Sequence, residues 1–223
     1  MIKRLFAIFL TIVLVFPQTG KLKVGFDIDD TVLYSEPMFI YYVENHGRPI
    51  DYEWINVNDK NYSIPISPTI DLIQYFKSNG HDVYFITARP GANGQHVAEF
   101  LSDVLSYKVE KNVDLFFMPK EKIDGHKFTT KHRKMNEIGL DLFYGDSDTD
   151  IIAALKAGVH PVRVVRSNLS LEKYSSNYFG NTQKGDVKKA PFDSNDLNTF
   201  YSKSVGIFGE SIYPIIWKGP NEE

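Results

Sequence analysis

Four stretches, far apart along the 223-residue chain, carry side chains suited to phosphate and hard cations: Asp27-Ile28-Asp29-Asp30-Thr31, Thr87-Ala88-Arg89, Lys131, and Gly145-Asp146-Ser147-Asp148-Thr149-Asp150. Converging carboxylates from Asp27, Asp29, Asp146 and Asp150 repel one another unless something positive sits between them, and a hard divalent cation with oxygen ligands is the natural occupant. Magnesium suits the set, because it takes one or two carboxylates together with waters and phosphate oxygens. In isolation Asp27 and Asp29 read as turn or helix-cap residues, since aspartate is common in loops after strands. Their company reverses that balance: a buried apolar strand before them, and Thr87, Lys131 and Gly-Asp-x-x-x-Asp further on.

Such residues meet only if the fold gathers them. Leu22, Val24, Phe26 and Ile28 alternate and run into the first Asp cluster, as a strand entering a polar loop does. Ser67-Pro68 reads as an N-cap followed by proline at the first helical position; Ile70, Ile73 and Phe76 follow at helical spacing, and Gly80 closes the segment. Residues 83–86 are a continuous apolar run suited to a strand buried on both faces. Val97, Phe100, Leu101, Val104 and Leu105 form the stripe of an amphipathic helix. Residues 115–118 are a further apolar run; Leu142-Phe143 lead into Gly145-Asp146, Ile151, Ile152 and Leu155 precede Gly158, and residues 162–165 suggest another strand. Strands alternating with helices predict an α/β domain with a doubly wound, mainly parallel sheet. The carboxyl ends of its strands converge on one crevice, where ligands bind.

Two stretches break the rhythm. Residues 36–66, rich in Tyr, Asn, Asp and Pro, read as a small cap insertion over the carboxyl edge of the sheet. Its aromatics, Phe39, Tyr42, Tyr52 and Trp54 among them, suit either stacking on a substrate ring or the insertion's own core. Residues 168–204, rich in Ser, Asn, Lys and Gly, read as a long surface excursion, with apolar pattern returning at 205–208 and 212–217. At the other end, Lys3-Arg4 followed by the uncharged run 5–16 has the layout of a secretory signal. The run is shorter than the ~20 residues a spanning helix needs. Residues 1–20 are therefore expected to be a signal peptide, or a signal-anchor if uncleaved, and 21–223 the working domain; only an uncleaved segment implies contact with a membrane.

Composition narrows the chemistry. With 25 Lys+Arg against 28 Asp+Glu the chain has no electrostatic footprint for a nucleic acid polymer. The absence of cysteine excludes disulfides, thiolate metal sites and a cysteine nucleophile. The six histidines show no metal-ligand spacing.

Taken in order, Phe26-Asp27-Ile28-Asp29-Asp30-Thr31-Val32-Leu33, Phe85-Ile86-Thr87-Ala88-Arg89, Lys131 and Phe143-Tyr144-Gly145-Asp146-Ser147-Asp148-Thr149-Asp150 resemble the motifs of the haloacid dehalogenase superfamily. More narrowly they resemble its class B acid phosphatases, secreted, metal-dependent, nonspecific phosphatases of bacterial periplasms. The likeness extends to Ser63-Ile64-Pro65 and to Val205-Gly206-Ile207-Phe208-Gly209-Glu210. Two departures stand out: Ala88 occupies a position where the family usually has glycine, and little lies between residue 20 and Leu22, where the family has a segment that helps build its oligomer. A homo-oligomer is thus left open.

The resemblance implies a haloacid dehalogenase-like phosphatase using Mg2+ on small organic phosphates, nucleotides included, in the periplasm or secreted, with phosphotransferase activity as a companion. It assigns Asp27 as nucleophile, forming an aspartyl-phosphate, and Asp29 as the group that protonates the leaving alcohol and then activates water. On this reading the neighbouring anions raise the Asp29 pKa. Thr87 and the backbone N–H of Ala88 would donate to phosphate, and Lys131, preferred over Lys134 for its spacing before Gly145-Asp146, would supply fixed positive charge. Asp27, Asp146 and the backbone carbonyl of Asp29 would hold the metal. Asp150 would orient Lys131 or a metal-bound water, and Arg89 would contact substrate or form a surface ion pair. The alternatives are a narrow-specificity 5′-nucleotidase and a catalytically silent phosphate-binding surface protein.

Overall fold

The computed structural model describes residues 20–123, 126–165 and 215–216. All but the last residue of the signal segment expected at 1–20, the surface excursion expected at 168–204 and the motif at 205–210 lie outside them. The centre is a six-stranded sheet in the order β10-β9-β8-β1-β4-β5: β1 is Lys23–Phe26, β4 Asp82–Thr87, β5 Leu115–Phe117, β8 Leu142–Gly145, β9 His160–Val165 and β10 Ile215–Ile216. Every pairing in it is parallel. Helices α3 (Ser67–Ser78) and α4 (Gln95–Leu105) cover one face, and α5 (Lys131–Ile138) and α6 (Asp148–Lys156) the other.

Strand periodicity explains this division. Val24 and Phe26 of β1 face α3 and α4 together with Val83 and Phe85 of β4. Gly25, between them, points the other way, and a Cβ there would fall 2.5 Å from Leu140 and 2.7 Å from Phe143. Ile86 and Phe143 join Met135, Ala153 and Ala154 under α5 and α6. Phe26, Phe85 and Phe143 are fully buried; each such side chain contributes about 1.5–3 kcal/mol of transfer free energy. The predicted doubly wound α/β fold is therefore present, and its strands carry the near-continuous apolar runs that two-sided burial demands.

Local details depart from the sequence reading. Ile66, not Ser67, is the N-cap of α3, so Ser67 and Pro68 both lie in its first turn. β6 (Glu121–Ile123) pairs antiparallel with β7 (His126–Phe128), which no apolar alternation announces. The stretch 36–66 contains two helices, α1 (Glu36–His46) and α2 (Tyr52–Tyr62), between the short antiparallel strands β2 (Leu33–Tyr34) and β3 (Ile64–Pro65). Pro37 in the first turn of α1 and the Asp51 carboxylate, which accepts the Glu53 N–H at the start of α2, define these helices. Met38, Tyr42 and Ile55 form their shared core, and Phe39, Tyr52, Trp54 and Tyr62 pack around it. The aromatics thus serve the insertion's own core.

Candidate active site

The chain runs from β1 outward to β4 and β5, then crosses to β8, β9 and β10 on the other side. The reversal of strand order lies between β1 and β8, and the crevice at their carboxyl ends is where an open α/β sheet binds ligands. Phe26 pairs in register with Tyr144, their rings stack at 4.7 Å, and the Asp27 N–H donates to the Tyr144 carbonyl at 2.8 Å. These contacts fix Asp27 beside Asp146 although 118 residues separate them. After Asp27 the chain turns tightly: the Ile28 carbonyl accepts N–H groups from Thr31, Val32 and Leu33, and Asp30 adopts φ 56°, a conformation aspartate tolerates better than most residues.

Carboxylate oxygens of Asp27, Asp146 and Asp150 lie within 4.8 Å of one another, all three side chains buried. Lys131 Nζ sits 2.6 Å from Asp27 Oδ1 and 2.6 Å from Asp150 Oδ1. Lys131 opens α5 and is 2% exposed, so its charge is dedicated to this cluster; Lys134, by contrast, pairs with Glu137. The Thr31 hydroxyl donates to Asp146 Oδ1 at 3.4 Å, and Arg163 Nη1 donates to the Asp146 carbonyl at 3.0 Å. Asp150 Oδ2 accepts from the Ser147 N–H and hydroxyl in a capping box that opens α6.

Electrostatics divide the carboxylates. Burial, then the nearby Asp150, pushes the Asp27 carboxyl well up, against the pull of Lys131. Burial also penalises ionised Asp150, but Lys131 and the Ser147 hydrogen bond outweigh it and hold that carboxyl below the usual range. For Asp29 the expectation of a raised pKa is wrong. Burial does push it up, yet Arg89 more than compensates, in charge and in hydrogen bonds, and holds it below the ordinary aspartate value. Arg89 Nε and Nη2 grip Asp29 Oδ2 and Oδ1 at 2.9 and 2.5 Å. Nor is Arg89 a surface ion pair: it is 2% exposed and also pairs with Asp59.

Thr87, at the end of β4, is fully buried and accepts the Arg89 N–H at 3.2 Å, which leaves its own proton to give. Ala88 lies in the turn between them, half-buried. The structure thus places Asp27, Asp146, Asp150 and Lys131 in one cluster, with Thr87 and Ala88 at the neighbouring strand end and the Asp29 carboxylate directed to Arg89. Thr31 and Ser147 lie in the quoted stretches but carry no role in the sequence reading, and Ser35, Asn56 and Asp59 are not singled out there. Ser147-x-x-Asp150 is a readable capping pattern; Asn56 and Asp59 lie in a helix without a sequence signal.

Three buried carboxylates form an all-oxygen donor set of the kind a hard divalent cation takes. The site also depends on a missing side chain. A Cβ at Gly145 would overlap Asp150 Cβ and lie 2.9 Å from its Cγ. Gly145→Ala is expected to cost about 1–3 kcal/mol of overpacking. It should displace Asp150 and with it Lys131, so catalytic turnover should fall further than the folded fraction; a melting curve and a rate measurement on one preparation check this.

The chain is similar to known proteins. A family model described as HAD superfamily, subfamily IIIB (acid phosphatase) matches residues 7–187. The class B acid phosphatase of Haemophilus parainfluenzae (strain T3T1) is 34% identical over 160 residues, 66% of this chain and 65% of that protein. That of Salmonella typhimurium (strain LT2) is 32% identical over 165 residues, 70% of this chain and 68% of that protein. The matched part of this chain thus spans just under two thirds of the first relative's length. Among solved structures, the class C acid phosphatase from Bacillus anthracis shares the fold, with a TM-score of 0.51 and 19% identity over 91% of this chain and 69% of its own.

Proposed function

The chain belongs to the subfamily IIIB acid phosphatases of the HAD superfamily, and from that membership we propose that it is a magnesium-dependent acid phosphatase hydrolysing phosphomonoesters through an aspartyl-phosphate on Asp27. The observation that carries this reading is the bridge of Lys131 Nζ between Asp27 and Asp150, 2.6 Å from each, with Asp146 completing the carboxylate cluster. A lysine held there restrains the Asp27 carboxylate and leaves positive charge where equatorial phosphate oxygens gather charge in transfer.

Asp27 and Asp146, with the backbone carbonyl of Asp29, would hold the Mg2+, and Asp150 lies close enough to share that duty. When bound, the ion neutralises phosphate charge and lowers the barrier to attack by an anionic nucleophile. Asp27 attacks phosphorus as the ester P–O bond breaks, and the leaving oxygen takes a proton from Asp29. Water then attacks the phosphorus of the phospho-enzyme, giving its proton to Asp29 and releasing inorganic phosphate and free Asp27. An alcohol in place of that water gives phosphotransfer. The Arg89 pairing favours the Asp29 carboxylate that the second half-reaction needs. Protonated Asp29, which the first half-reaction needs for poor leaving groups, is favoured by acidic conditions. Thr87 Oγ–H and the Ala88 N–H, at the end of β4, would donate to phosphate.

Substrates on this reading are nucleotides and other small organic phosphates, and the leader-like residues 1–20 support export to the periplasm or beyond. Purified protein is expected to hydrolyse a chromogenic aryl phosphate, to lose turnover in EDTA and to regain it on adding Mg2+. Activity insensitive to chelator overturns the metal mechanism. A panel of phosphate esters on which a single nucleotide alone is cleaved overturns the broad substrate range.

A further inference from the structure

Arg89 is the bulkiest of the fully buried side chains described, and its surroundings are more elaborate than one ion pair. On one side its fork holds Asp29, whose side chain remains 32% exposed. On the other, Nη1 reaches Asp59 Oδ2 and lies 3.5 Å from Asn56 Oδ1, while Nη2 lies 3.4 Å from Asp59 Oδ1 and 3.4 Å from Ser35 Oγ. Asp59 is 0% exposed and is itself held by the Ser63 hydroxyl, which donates to its Oδ1 at 2.5 Å. Asn56 Nδ2 donates to the carbonyls of Pro90 and Ala92 at 3.0 and 2.8 Å, tying the chain just beyond Arg89 to the same helix.

Asn56 and Asp59 both belong to α2 of the insertion, whereas Arg89 and Asp29 follow the sheet strands β4 and β1. The web is lopsided: its Asp59 end is buried in the insertion, and its other end is the partly exposed Asp29 carboxylate. A second buried carboxylate on one guanidinium is costly to desolvate, and apolar side chains would pack α2 against the sheet at less cost. With Asp59, Asn56 and Ser35 taking the rest of its donors, Arg89 has one orientation, and that orientation, together with a hydrogen bond from the Ser35 side chain, sets the Asp29 carboxylate.

We propose that Asp59 is a positioning residue for Asp29, acting through Arg89, so that the insertion supplies part of the acid–base machinery without touching substrate. This rests on the reading of Asp29 as the group that protonates the leaving oxygen. A misplaced acid slows esters whose leaving group needs a proton and spares those whose leaving group does not.

The test compares kcat and KM of the full chain on an alkyl phosphate and on p-nitrophenyl phosphate. The ratio of the two rates within one preparation is independent of the folded fraction. Asp59→Asn keeps size and removes charge; Arg89→Lys keeps charge and removes the fork, and it serves if the first variant folds poorly. Each is expected to lower the alkyl-to-nitrophenyl ratio of kcat by roughly 10- to 100-fold with KM changed less than about threefold. Asp59→Asn should add little in an Asp29→Asn background, because residues acting through one group are not additive. An unchanged ratio in Asp59→Asn and Arg89→Lys, beside a lowered ratio in Asp29→Asn, overturns the inference alone. Wild-type protein that cleaves neither ester, or Asp29→Asn with an unchanged ratio, overturns the acid–base reading as well.

Discussion

Asp27→Asn is expected to abolish phosphate ester hydrolysis, a loss on the order of 10⁶ in kcat if the scale found on removing a covalent nucleophile from another hydrolase applies. The same substitution should stabilise the metal-free protein at neutral pH. Burial and Asp150 raise the Asp27 carboxyl well above its ordinary value. A group whose folded pKa is raised favours folding fully below its unfolded pKa, and that contribution is lost as pH rises through the folded value. Above its unfolded pKa, Asp27 therefore opposes folding. Asparagine keeps an acceptor for Lys131, 2.6 Å away in the wild type, and removes one of three clustered negative charges. The metal-free melting temperature should rise, and the further gain on adding Mg2+ should be smaller than in wild type. Melting curves with and without EDTA, beside an aryl phosphate assay, measure both effects. Retained turnover removes Asp27 from the chemistry; a lowered melting temperature contradicts the electrostatic account.

Lys131→Met should produce the largest loss of stability. The side chain is buried, lies 5.7 Å over the Phe143 ring, and neutralises two carboxylates that stay behind when it goes. Breaking a buried pair from one side costs about 3–5 kcal/mol, because a charge is left uncompensated. For a domain of this size that is a fall of roughly 6–20 °C in melting temperature. Turnover should fall by at least ~100-fold for loss of a preorganised positive group at the transferring phosphate. The deficit has a pH signature. Lys131 now holds Asp150 low, so part of the wild-type stability is present above the ordinary Asp range and is lost as pH falls through the folded value. Without the lysine that support is absent at neutral pH, and protonation of Asp27 or Asp150 relieves their repulsion. The gap between variant and wild type should narrow on acidification and on adding a divalent cation. A gap of the same size at pH 8 and at about pH 3, below the ordinary Asp value, metal-free, would falsify the pairing as its cause.

Much of the sheet was readable because a strand buried on both faces needs a near-continuous apolar run: residues 83–86 and 115–117 have an unbroken one, and 162–165 is interrupted only by Arg163. The two helices of the insertion were not readable. Their apolar residues, Met38, Tyr42 and Ile55, are spread over two short helices that complete a core only together, so neither shows a stripe. The antiparallel pair Glu121–Ile123 and His126–Phe128 is not legible in the sequence because strands of three residues are too short to show a period.

The types and order of the site residues were determined by sequence: Asp27 and Asp29 after one apolar strand, Thr87 after a second, Gly145-Asp146 after a third, with Lys131 between. Because parallel strands in a doubly wound sheet end on the same edge, that order was enough to foresee one crevice. What each carboxylate would pair with was decided only by the tertiary structure. Lys131 went to Asp27 and Asp150, and Arg89 to Asp29 and Asp59, across gaps of 104, 19, 60 and 30 residues. Those pairings reversed the direction of the pKa shift expected of Asp29 and tied the insertion to Arg89 through Asn56 and Asp59. A pKa depends on distance, desolvation and hydrogen bonds at the ångström scale, and none of these follows from spacing along a chain.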